Sequence, residues 1–460
     1  MTDNTKTNLP GSSSITIQSD REKSEDSHST NTNAFLSEDW VAVVIGGILI
    51  VAILLISKFI PGFSLKLPVY QWANTDDLLG KVLSVGNLSL IALAGLTLFV
   101  LATAGIALLG GKPGKFAIGF LLVYILAIAS LIVAGNKTIA TYGLEYVIFG
   151  LIAGLLISNL AVLPRWLREA ARSEFYIKTG LVILGTSVLF TDIVKAGVPG
   201  ILQALLVVSV VWFFALWISR RFKVDDEFGV ILASAVSICG VSAAIAACGA
   251  IKGDKKKLSY VTTIVLVVAI PMLILQPWII KIFHMPEIVG GAWLGGTLDT
   301  TASVTAAAQI VGPIALKSGV IVKFSQNVLI GVAALLLAIW WTLKKNPNKQ
   351  NEERPGFKII WERFPKFVLG FIVASLIFSF LISPVAVKNV GGILNGLRTL
   401  WFALAFVSIG LEVRLHDLVK LEGGRPAFAF VGAQLFNILW TLLCAYLLFG
   451  GHLFPVPDLK

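Results

Sequence analysis

Two segments of this chain replace long apolar side chains with glycine, alanine, serine and threonine, although both lie among stretches typical of membrane spans. They are Ser237–Cys248 and Gly290–Ala308. Lipid offers the backbone no hydrogen-bond partner, so a glycine-interrupted segment at membrane depth must be surrounded by protein or line a water-filled cavity. Paired interruptions of this kind point to the binding site of a transporter.

The composition around these segments predicts an all-α polytopic membrane protein. Hydrophobic residues make up 56% of the 460, the mean hydropathy is +0.86, and 14% of residues are charged, against about 25% in soluble domains. The net charge of +11 comes from basic clusters between apolar runs, which is the positive-inside pattern rather than a signature of nucleic-acid binding. We therefore expect the lipid bilayer, and no nucleic acid, as a partner.

Apolar runs of about 18 residues indicate eleven spans around the two interrupted segments. The expected spans are Trp40–Ile60, Leu88–Leu109, Phe116–Val133, Leu144–Val162, Tyr176–Phe190, Ile201–Ile218, Leu258–Phe283, Gly319–Trp341, Phe367–Ile382, Leu397–Leu411 and Ala427–Phe449. The chain divides into a disordered cytoplasmic tail (1–38), additional spans (39–140), a first repeat (141–283) with interrupted segment 225–251, a second repeat (284–450) with interrupted segment 287–311, and a basic cytoplasmic loop (342–366).

Charge placement favours hairpins for the two interrupted segments. If the basic loops 165–172 and 220–223 are cytoplasmic, the basic stretch Gly253–Lys257 stays on that side only when 225–251 re-enters instead of crossing. Segment 287–311 would then re-enter from the opposite side. A broken, fully crossing helix pair is the alternative. Both topologies predict a multi-pass protein of the plasma or inner membrane with a cytoplasmic N-terminus.

A short internal repeat indicates inverted symmetry. Gly185–Lys195 and Gly410–Lys420 match at a constant offset of 225 (410 − 185), and either topology puts an odd number of crossings between them. The matched pairs are Gly185 with Gly410, Val188 with Val413, Asp192 with Asp417, and Lys195 with Lys420. Inverted-topology repeats are common in secondary transporters.

Small and hydroxyl residues of the first interrupted segment are candidates for binding a solute. They are Ser237, Cys239, Gly240 and Ser242. Glycine permits a positive φ and close backbone approach, and freed N–H groups and hydroxyls could hold an anion or another polar solute. Tight packing of small residues between helices is the structural alternative.

The second interrupted segment contains a carboxylate among hydroxyl groups. Its candidates are Thr297, Asp299, Thr300, Thr301 and Ser303. An aspartate at membrane depth is costly and indicates function. A Na⁺ site at Asp299 and Thr300, or a proton carried by Asp299, would each fit this pattern, and helix capping by Asp299 is the structural alternative.

The next helix adds Lys323, Gln326 and Asn327. Lys323 and Asn327 share a helix face by their spacing, so Lys323 could pair with Asp299, attract an anion, or extend toward the membrane interface. No metal cluster, cofactor or enzyme motif accompanies these residues, and the absence of a phosphate-binding loop excludes an ATP-driven pump on this chain. We therefore expect no enzyme activity.

Several of these motifs resemble the sulfate exporter (YeiH-like) family of bacterial membrane proteins. The resemblance covers residues 144–450 and includes Ser237–Ala243, Gly291–Leu298, Val322–Asn327 and the repeated Gly185–Lys195 stretch. It implies a secondary transporter of sulfate or related small anions, with the inverted-repeat fold of cation/proton antiporters and bile-acid symporters. The chain departs from the family at Asp299-Thr300, where a histidine and an acidic residue are usual, and at Ser303 and Gln326.

Together these observations predict an ion-coupled secondary active transporter of a small, anionic solute, of the sulfate or sulfonate type, working by alternating access. A Na⁺- or H⁺-coupled carrier of a different organic solute and a channel are the alternative interpretations. The oligomeric state stays open between a monomer and a homodimer.

Overall fold

The computed structural model describes residues 37–59, 66–141, 144–345, 361, 364–413 and 424–459. Across these residues the chain is helical, and the bridge between Trp72 and Asn136 is an isolated one. Eight of the described helices are long and apolar enough to cross a membrane. The all-α, multi-pass prediction is therefore confirmed. The tail at 1–36 and most of the basic loop, 346–360 and 362–363, lie outside the described residues.

Fifteen helices of nine residues or more position the rest of the described chain. They are α1 Glu38–Phe59, α2 Val85–Leu108, α3 Pro113–Ala134, α4 Tyr146–Leu160, α5 Ser173–Leu184, α6 Phe190–Arg221, α7 Asp226–Ser234, α8 Val241–Ala250, α9 Lys255–Ile282, α10 Glu287–Thr297, α11 Thr301–Val311, α12 Pro313–Lys345, α13 Lys366–Leu376, α14 Pro384–Glu412 and α15 Arg425–Phe449.

The first interrupted segment is a helical hairpin, here called hairpin 1, made of α7, a wide turn at Ala235–Cys239, and α8. Its two ends lie together, because Lys257 Nζ is 2.7 Å from Asp225 Oδ1 and 3.3 Å from Glu227 Oε2. Burial alone would raise the pKa of Asp225, but hydrogen bonds from Lys257 and from the backbone N–H of Phe228 outweigh it and lower that pKa. An ion pair therefore closes the base of the hairpin.

The second interrupted segment, α10 and α11, forms hairpin 2. Glu287, the first residue of α10, accepts hydrogen bonds at Oε2 from Ile314 N (3.0 Å) and Ala315 N (3.4 Å), which follow the end of α11. Helix α9 has 28 residues, about 42 Å at 1.5 Å per residue, and it separates the two hairpins. They therefore enter from opposite ends of the bundle. A crossed, fully spanning helix pair would not bring these ends together.

Contacts between helices divide the described part into two groups. The hairpin body contains α6 to α12 and α15, and the frame contains α1 to α5, α13 and α14. Helix α1, from the additional spans at 39–140, packs on α5 and α13, and Lys178 of α5 lies 2.9 Å from Glu38 and 3.0 Å from Asp39. This helix is therefore part of the frame.

Polar contacts also define the two ends of the bundle. At one end, called the Glu38 end, Glu412 accepts hydrogen bonds from Ser173 N and Oγ at 2.9 and 2.6 Å. At the other, called the Glu287 end, Lys317 Nζ is 3.8 Å from Asp192 Oδ2. Phe190 N donates to Ser379 Oγ there at 2.8 Å. Helices α6, α12 and α14 each join one end to the other.

The two copies of the sequence repeat make reciprocal contacts within the frame. Ser375 of α13 donates a hydrogen bond to Val188 O at 2.5 Å, and Ser158 of α4 donates one to Val413 O at 2.7 Å. Val188 and Val413 are the matched valines, and each follows the end of a helix in an extended conformation. The remaining matched residues of the second copy, at 414–420, lie outside the described residues.

Candidate functional site

The tips of the two hairpins meet inside the hairpin body. Gly240 follows the wide turn of hairpin 1 with φ +62°. A Cβ atom at this position would lie 2.9 Å from Asp299 Cβ and 2.7 Å from Val265 Cγ1. This position therefore requires glycine for two reasons: its backbone conformation and the close approach of hairpin 2.

Lys323 joins the carbonyl ends of the two interrupted helices. Its ammonium group donates to Ile238 O at 2.7 Å, Leu298 O at 2.8 Å and Gln326 Oε1 at 3.0 Å, and the side chain is fully buried. The C-terminal end of a helix carries partial negative charge and unpaired carbonyls. One cation from α12 therefore stabilises the broken ends of both hairpins.

Side-chain amides bind the neighbouring carbonyl groups. Gln326 donates to Gly296 O at 3.0 Å and to Ser237 O at 3.3 Å. From α15, Gln434 donates to Thr297 O at 3.0 Å and Asn437 donates to Val236 O at 3.2 Å. In this way the unwound backbone is satisfied inside protein, as the absence of hydrogen-bonding lipid groups requires.

Asp299 lies where α8 and α11, the second helices of the two hairpins, begin. It is 2% exposed, and neither carboxyl oxygen has a hydrogen-bond partner among the described residues. The hydroxyl of Ser237 and the Oδ1 atom of Asn327 are also buried without a partner. A buried charge without hydrogen bonds is costly. This group of acceptor oxygens is therefore suited to a proton on the carboxyl group or to a bound cation.

Helix capping at this site is done by Thr300 rather than by Asp299. Thr300 Oγ1 accepts a hydrogen bond from Ser303 N at 3.0 Å and lies 2.8 Å from Ser303 Oγ. Thr301 Oγ1 accepts from Asn327 Nδ2 at 3.1 Å, and Thr297 Oγ1 donates to its own helix at Trp293 O. Four of the predicted hydroxyl residues, Thr297, Thr300, Thr301 and Ser303, therefore make structural hydrogen bonds.

The other candidates of hairpin 1 differ in exposure. Cys239 is buried and packs with Ile238, Ala243 and Ile330, which favours the small-residue packing alternative for that side chain. Ser242, at the start of α8, is exposed. The structure thus brings the predicted residues of both hairpins and of α12 into one region, with Ser242 at its accessible side.

Two contributors to the site, Gln434 and Asn437, were absent from the sequence prediction. Both are buried amides on α15. Their spacing of three residues, within a helix otherwise rich in leucine and phenylalanine, is the signal that could have indicated them, since polar side chains inside a span are seldom neutral in function.

The same region of sequence matches a family of membrane proteins. A model of the family described as Conserved hypothetical protein 698 matches residues 118–429, which include both hairpins, α12 and the frame helices α4, α5, α13 and α14. The chain belongs to this family.

Curated relatives of this chain are called UPF0324 membrane proteins. One from Rhodopirellula baltica is 39% identical over 351 residues, 74% of this chain and 64% of the relative, and one from Nitratidesulfovibrio vulgaris is 36% identical over 359 residues, 75% and 61%. A Nitrosomonas europaea relative is 29% identical over 348 residues, 68% and 70%. The chain therefore spans less than two thirds of the length of the first two.

Proposed function

We propose that the protein is a secondary active transporter that moves a small anionic solute, of the sulfate or sulfonate type, by ion-coupled alternating access. The observation that carries this proposal is the meeting of two helical hairpins, from opposite ends of the bundle, at buried Asp299 and Lys323. Discontinuous helices at the centre of a span are the usual means of binding solute and coupling ion in secondary transporters.

The division into a hairpin body and a frame supports alternating access. Both hairpins and their carbonyl-binding helices, α12 and α15, belong to one body, so the site can move as a unit against the frame. The contacts of Val188 and Val413 support the inverted-repeat interpretation. In an inverted repeat, the hairpin body can occupy two equivalent positions against the frame, one open to each side of the membrane. The basic loops cluster at the Glu38 end, which supports a cytoplasmic location for that end.

Asp299 is the proposed coupling residue. Its carboxyl group has no hydrogen-bond partner among the described residues, and it needs a proton or a cation such as Na⁺ to be neutral in this environment. Lys323 makes no hydrogen bond to Asp299, because its ammonium group donates to three other acceptors. Coupling would follow if loading and release at Asp299 accompanied the movement of the hairpins.

Flux measurements on purified protein in liposomes test the proposal. Sulfate, sulfonates and small carboxylates would be offered with a pH gradient, a Na⁺ gradient or neither. We expect one gradient to drive uptake in the wild type and Asp299→Asn to abolish the dependence on that gradient. Asp76→Asn, an exposed site outside the spans, is the matched control. Unchanged coupled flux in Asp299→Asn would remove Asp299 from the mechanism.

A further inference from the structure

A cation with free hydrogen-bond donors binds an anionic solute more strongly than backbone N–H groups and hydroxyls alone, and Lys323 at the hairpin tips has no free donor. An ammonium group has three donors, and those of Lys323 are directed at Ile238 O, Leu298 O and Gln326 Oε1. The described side chains around the tips otherwise present carboxyl, amide and hydroxyl groups. A cation with free donors on a helix near the tips would therefore strengthen binding of the solute.

Frame helix α14 carries a polar face along its half nearest the Glu287 end. Lys388, Asn395 and Arg398 fall on this face by helical spacing, and Lys388 and Asn395 are exposed. A Cβ atom added to Gly391 or Gly392, between them, would meet no atom within 4 Å. Polar side chains facing open space inside a span indicate a water-filled cavity rather than lipid.

The mouth of this face also borders a cavity. Lys388 lines a space of about 680 Å³ together with Ser379, Ser383 and apolar residues that include Val387. The cavity lies at the Glu287 end, where Ser379 binds Phe190 N. The exposed ammonium of Lys388 is therefore in a position to attract an anion arriving from that end.

Arg398, the central residue of α14, has no counterion among the described residues. The guanidinium makes no hydrogen bond and no ion pair with any described residue, and its Nε atom is buried without an acceptor. The guanidinium lies over the ring of Phe402, with Arg398 Cζ 5.8 Å from the ring centroid. A half-buried guanidinium without an acceptor has unused donors in the geometry that binds carboxylates and other oxyanions.

We infer that Arg398 binds the anionic group of the transported solute from the frame side, with Lys388 attracting it at the mouth of the polar face. The inference rests on the proposed transport function and adds the charge class and the binding residue. Helix α14 also packs against α11 of hairpin 2. A solute bound to Arg398 would therefore contact a frame helix that packs directly against the hairpin proposed to move.

Equilibrium binding to the purified full-length protein tests the inference. Sulfate, methanesulfonate, acetate and chloride would be titrated at constant ionic strength. We expect Arg398→Gln to weaken oxyanion binding about tenfold or more, the usual value of a charge-assisted hydrogen bond. Arg398→Lys keeps the charge but loses the planar donor pair, so it should impair oxyanions more than chloride. Unchanged oxyanion affinity in a well-folded Arg398→Gln protein would overturn the inference.

Lys388→Gln tests the mouth of the polar face. Loss of an exposed charge should slow association and reduce its salt dependence more than it changes the equilibrium constant. Lys137→Gln replaces an exposed lysine beside the bridged Asn136. This control should leave the association rate and its salt dependence unchanged. Equal effects of the two substitutions would show general surface charge instead of a site.

A lipid phosphate offers the same chemistry as a soluble oxyanion, so the protein would be compared in phosphatidylcholine and phosphatidylglycerol nanodiscs. If anionic lipid alone stabilises wild type, and does so through Arg398, the solute assignment is overturned. Coupled flux that needs Asp299 but not Arg398 would overturn this inference and leave the proposed function intact. Without coupled flux of any solute the proposed function fails, and the titrations still decide on Arg398.

Discussion

The backbone conformation of Gly240 and the atoms packed against it both exclude a side chain. Its φ is +62°, and an added Cβ would approach Asp299 Cβ to 2.9 Å. We expect Gly240→Ala to destabilise the protein by about 1–3 kcal/mol and to reduce flux sharply, because the tips would be forced apart. Gly197→Ala on α6, where no atom lies within 4 Å, should change neither melting temperature nor flux.

Lys323 is predicted to be a structural requirement as well as a neighbour of the coupling residue. Lys323→Met keeps much of the side-chain volume but leaves Ile238 O and Leu298 O without their donor. Each unpaired buried acceptor costs about 1–3 kcal/mol, so the melting temperature should fall. Lys137→Met provides the control. Stability equal to wild type in Lys323→Met would contradict the role assigned to this ammonium group.

Residue types predicted where the site lies better than they predicted what each residue does. Glycine, hydroxyl and carboxyl groups at membrane depth indicated both hairpins, and Asp299 and Lys323 lie at their junction. Thr300, not Asp299, caps α11, because capping depends on local dihedral angles that composition does not fix. Gln434 was missed because its carbonyl partner, Thr297 O, is 137 residues away in sequence.

At the scale of elements, the hairpins determine the topology and can be tested by labelling. With Cys239, Cys248 and Cys444 replaced, single cysteines at Arg221 and Lys256 should react with an impermeant maleimide from the same side of the membrane. Single cysteines at His284 and Ile314 should react from the other side. All four positions are exposed. Labelling of Arg221→Cys and Lys256→Cys from opposite sides would contradict the hairpin.

The hairpins were predictable because charge and hydrophobicity are properties of the sequence itself. The basic stretch at 253–257 could remain with the 220–223 cluster only through a hairpin, and Lys257 indeed pairs with Asp225. Helix ends were less predictable: the expected span Tyr176–Phe190 is instead α5 from Ser173 to Leu184, a short turn, and the start of α6. Those ends depend on contacts with α13 and α14.

At the scale of the whole molecule, the two bodies touch through aromatic rings. Phe324 of α12 lies 5.1 Å, between ring centroids, from Phe371 of α13. We expect a mercury cross-link between cysteines at these positions, in the cysteine-replaced protein, to stop flux because it fixes one body to the other. A cross-link between Phe214→Cys and Phe436→Cys, whose rings stack at 3.9 Å within the hairpin body, should leave flux intact. Full flux in the first cross-linked protein would exclude relative movement there.

The serine bonds to Val188 and Val413 and the order of the hairpins together have an evolutionary consequence. Each half of the frame binds the other through a serine-to-carbonyl hydrogen bond, although Ser158 and Ser375 are not related by the 225-residue offset of the repeat (158 + 225 = 383). Yet hairpin 1 follows its copy of the repeat along the chain, whereas hairpin 2 precedes its copy. That order differs from the one that a simple tandem duplication would give, in which each copy of the repeat would have its hairpin on the same side.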